Sequence, residues 1–239
     1  MKKLLSFLIA FSFIKSTPEE IKARWLKHAN SCVQAEKEQF LTRYRIEDSE
    51  LLDQDLVNKI KSTQSDILQK EIKPLINFQA NNALIQPIIQ KVFKEEPVII
   101  LDNENFEWGM ICVSKDHTNN QIYVTLNLSL YLEQLELLEE ILLHEYAHIL
   151  NEDSTNREIL ECLGWTHSED ESETVNKYLL PFNRNCETRA DIYAAVNSPY
   201  HGKFLLEFLK TGYQEDGKGT HPCTDDRVAL LEKIRESLE

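Results

Sequence analysis

Residues 142–150 read Leu142-Leu143-His144-Glu145-Tyr146-Ala147-His148-Ile149-Leu150, a His-Glu-x-x-His run within a stretch, 131–151, whose apolar residues recur at helical spacing. On a helix, residues i and i+4 lie one above the other, so His144 and His148 aim two imidazoles at one point. Glu145 sits beside that point. There it can act as general base on a zinc-bound water and later hand the proton to a leaving amine. Leu137, Leu138, Ile141, Leu142, Ile149 and Leu150 make the helix apolar on more than one side, which predicts burial. Two imidazoles and a carboxylate in a buried helix are costly unless something coordinates them.

Two histidines do not hold a catalytic zinc, so a third ligand is required. The metzincin pattern needs Gly at 151 and His at 154; Asn151 and Ser154 exclude it. A glutamate on a later helix is the other solution, and Asn185-Cys186-Glu187-Thr188-Arg189-Ala190-Asp191 supplies one. Glu187 and Asp191 are four apart and share a helical face. Glu187 is the expected third metal ligand. Asp191 is placed to accept the outer N–H of a ligand histidine and fix its tautomer. Ala190 keeps the helix surface thin beside the metal helix.

Working outward, residues 18–95 read as helices. Thr17-Pro18-Glu19-Glu20 has the form of a capping box with proline in the first turn. Asp48-Ser49-Glu50 starts a second run carrying Leu51, Leu52, Leu56, Ile60 and Ile67, and Pro74 and Pro87 punctuate a third. From Pro97 the texture changes. Val98-Ile99-Ile100-Leu101 is a short apolar run before a turn, and strands are predicted over 108–113 and 121–128, with 115–120 between them. In the last strand Ile122, Val124 and Leu126 share one face. Further helices are predicted at 155–163, 183–197, 200–211 and 223–237, with 164–174 as an acidic loop. The order predicts an α+β, mainly helical fold with a small sheet before the metal helix.

His-Glu-x-x-His followed by Glu187-x-x-Ala190-Asp191 resembles the gluzincin zinc metallopeptidases of the HtpX and CAAX prenyl endopeptidase type. Thr220-His221-Pro222, followed by Arg227 and Leu230-Leu231, resembles that family's Thr-His-Pro segment and the arginine-bearing helix after it. Gln121-Ile122-Tyr123-Val124 resembles its edge strand. The resemblance covers roughly residues 97–232 and leaves 18–95 unexplained. It implies a zincin-like domain holding one zinc ion per chain on His144, His148 and Glu187, with Glu145 as base. It further implies that His221 stands by the scissile carbonyl to stabilise its oxyanion, that Arg227 orients nearby carboxylates, and that substrate pairs with a strand at 121–127. Two features depart from the family. Asn105-Phe106-Glu107-Trp108-Gly109-Met110 replaces an Asn-Ala-Phe-Ala stretch, and the family's multiple membrane helices are missing, which disfavours prenylated substrates. The altered wall motivates an alternative, a zinc-stabilised pseudo-peptidase or protein-binding module with little catalysis. A third reading makes the N-terminal helices a scaffold element.

The 239 residues suffice for one domain with a helical appendage, divided as 17–95 and 96–239. The net charge of −14 disfavours nucleic acid and anionic membranes as partners. Residues 131–173 hold thirteen acids and only one base, Arg157, leaving the rest of the chain at −2. Most of those acids are expected to be solvated, and a field of that sign favours Zn²⁺ and basic, or unfolded, polypeptide segments. Residues 1–16 carry Lys2, Lys3 and an uncharged stretch from Leu4 to Ile14. That is the pattern of a signal peptide, too short to span a bilayer, and predicts a protein exported or held at the membrane by an uncleaved segment. The five cysteines form no CxxC pair, so a thiolate zinc site is not indicated; their odd number leaves at least one unpaired within the chain.

Overall fold

The computed structural model describes residues 16–78, 83–107, 110–168, 172–211 and 219–239. Thr17 opens α1 (Pro18–Tyr44) as predicted: its hydroxyl accepts from the Glu20 amide at 3.3 Å, and the Glu20 carboxylate accepts from the Thr17 amide at 2.9 Å. Arg45, in the left-handed conformation (φ 54), ends the helix. The run after Asp48 divides into α2 (Asp48–Leu51) and α3 (Gln54–Ile72). The break is made by Asp53, whose carboxylate accepts from the amides of Asp55 and Leu56 and so caps α3. The break also rephases the apolar face. Leu52 and Ile67, read as part of it, are exposed; Ile60, read there too, is buried, and Leu68 and Ile72 are buried with it.

After α4 (Gln86–Phe93) comes a three-stranded sheet of β1 (Val98–Asp102), β2 (Ile111–Asp116) and β3 (Gln121–Leu126), in the order β1-β3-β2. β3 pairs parallel with β1 and antiparallel with β2. Two expectations are corrected here. The strand expected over 108–113 is described from Ile111 and runs on through Lys115 and Asp116, because Ser114 to Asp116 pair with Tyr123 to Gln121 and the reversal is confined to 117–120; Trp108 and Gly109 lie outside the described residues. More important, 121–126 is the central strand and not an edge. Both its faces are covered: Ile122, Val124 and Leu126 join the main core with Ile100, while Tyr123 packs with Leu101, Leu68 and Ile72 under α3. β2 pairs with β3 alone among the described residues.

A 3-10 turn (Leu128–Leu130) leads into α5 (Leu135–Leu150), followed by α6 (Asp153–His167), α7 (Ser172–Asn197), α8 (Lys203–Thr211) and α9 (Thr224–Leu238). The acidic loop expected over 164–174 is therefore mostly helix: α6 continues to His167 and α7 begins at Ser172, with 169–171 outside the described residues. α7 also carries Pro181 in its interior, which the sequence reading placed before the helix. The molecule is mainly helical with a small sheet.

The N-terminal helices share their cores with the rest of the chain. Trp25 and Ala29 of α1 pack with Ile192 of α7 and Leu231 of α9, and Val33, Phe40 and Tyr44 pack with Leu160 of α6 and Phe182 and Cys186 of α7. The Trp25 indole donates to Ser237 Oγ at 3.0 Å, and the Asn185 amide donates to the Cys32 carbonyl at 3.3 Å. Not all the acids of 131–173 are solvated. Glu140 is fully buried and accepts from Ser198 Oγ and from the Leu205 amide, both at 2.7 Å, at the start of α8. No helix among the described residues is long and apolar enough to cross a membrane. All five cysteines are free thiols. Residues 1–15, with nearly all of the expected signal peptide, lie outside the described residues.

Candidate metal centre

α5 is buried at ten of its sixteen residues, between Leu137 and Ala147, and packs against α7. His144 and His148, one turn apart on α5, have their Nε2 atoms 3.3 Å apart. Glu187, from the middle of α7, brings its carboxylate between them: Oε2 lies 3.3 Å from His144 Nε2 and Oε1 lies 3.7 Å from His148 Nε2. One ligand atom from each of the three residues falls within 4.8 Å of the others.

Each imidazole is held from behind by a carboxylate. His144 Nδ1 is 2.9 Å from Asp191 Oδ1, and Asp191 in turn accepts two bonds from Arg227 of α9, each 2.8 Å. His148 Nδ1 is 2.9 Å from Asp153 Oδ2, at the first residue of α6, and the other Asp153 oxygen accepts from Arg189 of α7. An ionised carboxylate has no proton to give, so His148 Nδ1 donates to Asp153, while His144 Nδ1 lies in close contact with Asp191 without the alignment of a hydrogen bond. In the neutral ring that leaves Nε2 as a lone pair. In that neutral form, the one a metal binds, two lone pairs and a carboxylate converge. This donor set fits a Zn²⁺ ion, which takes His and Glu ligands and keeps a fourth position open. The open side gives onto a cleft of about 240 Å³ lined by Glu145, His148, Glu187, Thr220 and Arg157.

The electrostatics follow from the packing. Burial alone would raise Glu187, but the imidazoles of His144, His148 and His221 around it hold its carboxyl far below the usual range. Burial likewise opposes charge on Asp191, and the Arg227 guanidinium and His144 outweigh it, bringing it down to about 2. Without a metal, both ligand histidines lie above their ordinary value of 6.5: burial would lower them, and the carboxylates of Asp191, Asp153 and Glu187 prevail. Glu145 moves opposite to Glu187 and Asp191. Burial pushes its carboxyl up, only partly offset by the two histidines, which makes it a better base.

All seven residues singled out in the sequence meet at this place. His221 stands 3.2 Å from Glu187 Oε2, on a segment anchored to α7 by the Arg184 Nε bond to the Gly219 carbonyl at 3.1 Å. Two residues were missed. Arg189 stands in the quoted run 185–191 with no role assigned to it, and Asp153 is one of the thirteen acids counted over 131–173. Asp153 follows His148 by five residues, across a turn, so no helical periodicity could join it to the site. A second groove, of about 320 Å³, runs from His148 past Val113 and Ser114 of β2 to Ile67 and Glu71 of α3. No family model, curated protein or solved structure matches the chain.

Proposed function

We propose that this chain is a zinc-dependent endopeptidase that hydrolyses peptide bonds in polypeptides, a gluzincin with a zincin-like domain related to the HtpX and CAAX prenyl endopeptidase type. The observation that carries the proposal is the convergence of His144 Nε2, His148 Nε2 and the Glu187 carboxylate beside Glu145 in an open cleft. Zn²⁺, when bound there, supplies a Lewis acid that lowers the pKa of water and polarises a carbonyl. Glu145, raised by burial, takes the proton from the attacking water and delivers it to the leaving amine. His221, beside Glu187, supplies an N–H to the oxygen on which negative charge develops. Asp191 and Arg227 hold the His144 ring in its ligating tautomer.

The substrate strand belongs on β2 rather than on 121–127, since β3 is paired on both sides and β2 borders the groove that leads to His148. This puts α3 of the N-terminal region on the far wall of the substrate groove, a role the family resemblance did not account for. Basic or unfolded segments are the proposed substrates, and export or retention at the membrane through residues 1–16 belongs to the same proposal.

The test is Glu145→Gln. The variant keeps its zinc, and cleavage of casein or a quenched peptide falls by two to four orders of magnitude, the usual contribution of a general base. Undiminished cleavage by a zinc-loaded Glu145→Gln protein would sink the mechanism. A wild type that binds zinc and unfolded proteins but cuts none would make the chain a binding module.

A further inference from the structure

Asp153 and Arg189 touch the centre without belonging to any motif. We infer that they form a second positioning pair, which fixes the His148 ring with Nδ1 protonated and Nε2 turned toward the metal, and that the N-terminal helix α1 takes part in it through Asn30. The inference rests on the zinc reading above.

The turn between α5 and α6 is built to bring Asp153 back. Glu152 adopts a left-handed conformation (φ 50) that a non-glycine residue seldom takes, and reverses the chain within one residue. Three side chains hold it there. Asn151 Nδ2 donates to the Ala147 carbonyl at 2.7 Å. Asn156 Nδ2 donates to the carbonyls of Asn151 and Glu152, both at 3.0 Å. Lys61 of α3 pairs with Glu152 at 2.6 Å. Asp153 thereby reaches His148 Nδ1 at 2.9 Å.

Arg189 then selects which oxygen is used. Its Nη2 donates to Asp153 Oδ1, leaving Oδ2 for the imidazole, and its Nη1 lies 3.4 Å from Asn30 Oδ1 on α1. Arg189 is buried and stands two residues after Glu187, so one helix supplies both a ligand and the brace for the opposite ligand. A buried ion pair is weak evidence for stability, because desolvation offsets much of its attraction. Its geometry here serves orientation: the carboxylate of Asp153 stands between imidazole and guanidinium, as that of Asp191 stands between His144 and Arg227 on the other side.

The test measures zinc affinity of the full chain by competition with a chromophoric chelator, and the absorption of the Co²⁺-substituted protein as a report on ligand geometry. Asp153→Asn is expected to weaken zinc about ten- to a hundredfold and to alter the Co²⁺ spectrum. Arg189→Gln loses less, and the double variant loses no more than Asp153→Asn alone, since the two act as a unit. Wild-type affinity and spectrum in folded Asp153→Asn overturn the inference. A measurement on the zinc-loaded wild type decides it even if that variant does not fold: ¹⁵N spectra of labelled histidine show His148 protonated at Nδ1, and a ring protonated at Nε2 overturns it. A wild type that takes up no zinc overturns both this inference and the peptidase reading. Tight zinc with no peptide cleavage contradicts only the latter.

Discussion

The two histidines point at one place but are held by different kinds of structure. His144 is backed by Asp191, which is wholly buried and gripped twice by Arg227, so its support comes from the packed interior where α5, α7 and α9 meet. His148 is backed by Asp153, at the edge of the cleft, where the support comes from a turn and from an arginine shared with α1. The side chains of His144 and His148 are 8% and 21% exposed, and those of Asp191 and Asp153 0% and 11%. One half of the centre is thus part of the core, and the other half is a surface turn folded over onto it. The first should govern folding and metal binding together; the second should govern metal binding more than folding.

The largest effect that could break this contrast is on stability. Asp191→Asn removes the charge that the buried Arg227 pairs with, and removing one member of such a pair typically costs about 3–5 kcal/mol. Denaturant unfolding of the metal-free protein should show that loss for Asp191→Asn and a clearly smaller one for Asp153→Asn. Equal losses would erase the distinction between the core half and the turn half.

That asymmetry also explains how much could be read from the sequence. Glu187 and Asp191 share a helical face, and His144 and His148 share another, so a period of 3.6 residues reveals four of the groups. His221 and Arg227 came from the resemblance of Thr220-His221-Pro222 and its following helix. Asp153 and Arg189 had no such signal, because a left-handed residue at Glu152 redirects the chain and nothing in a linear pattern marks where it goes. The sheet shows the same limit. Alternation identified the face of Ile122, Val124 and Leu126, yet strand order is set by non-local pairing, and the strand taken for an edge lies at the centre. Helix α3 likewise escaped its reading because one carboxylate, Asp53, breaks the run and rotates the buried face.

A smaller effect, of opposite sign for folding and for metal, comes with pH. The ligand histidines have folded values above 6.5 without metal, so the stability they contribute is fully present below pH 6.5 and is lost as pH rises through those raised values. Asp191 is lowered to about 2, so its contribution is present above the ordinary 3.8 and is lost only as pH falls toward 2. Zinc must displace the histidine protons, so its affinity should rise over the range in which the metal-free protein weakens. Unfolding of the metal-free chain and zinc titration, each from pH 6 to 9, check the two slopes. Parallel slopes would contradict the assignment of these histidines as ligands.

The smallest effect expected is that of Lys61→Ala. The pair it removes is partly exposed, with Glu152 half in solvent, and such pairs are worth about 0–1 kcal/mol. A thermal shift near zero, with a modest loss of zinc affinity, would sharpen the view that the turn serves the metal. A large loss of stability would make Glu152 part of the fold's core support instead.

The central claim is that His144, His148 and Glu187 form a metal site. Its most direct measurement is the zinc content of the purified full chain by native mass spectrometry, beside the folded Glu187→Gln variant. The account predicts one zinc per wild-type chain and little or none in Glu187→Gln under the same conditions. A folded wild type that takes up no zinc, or a variant that retains it fully, would contradict it.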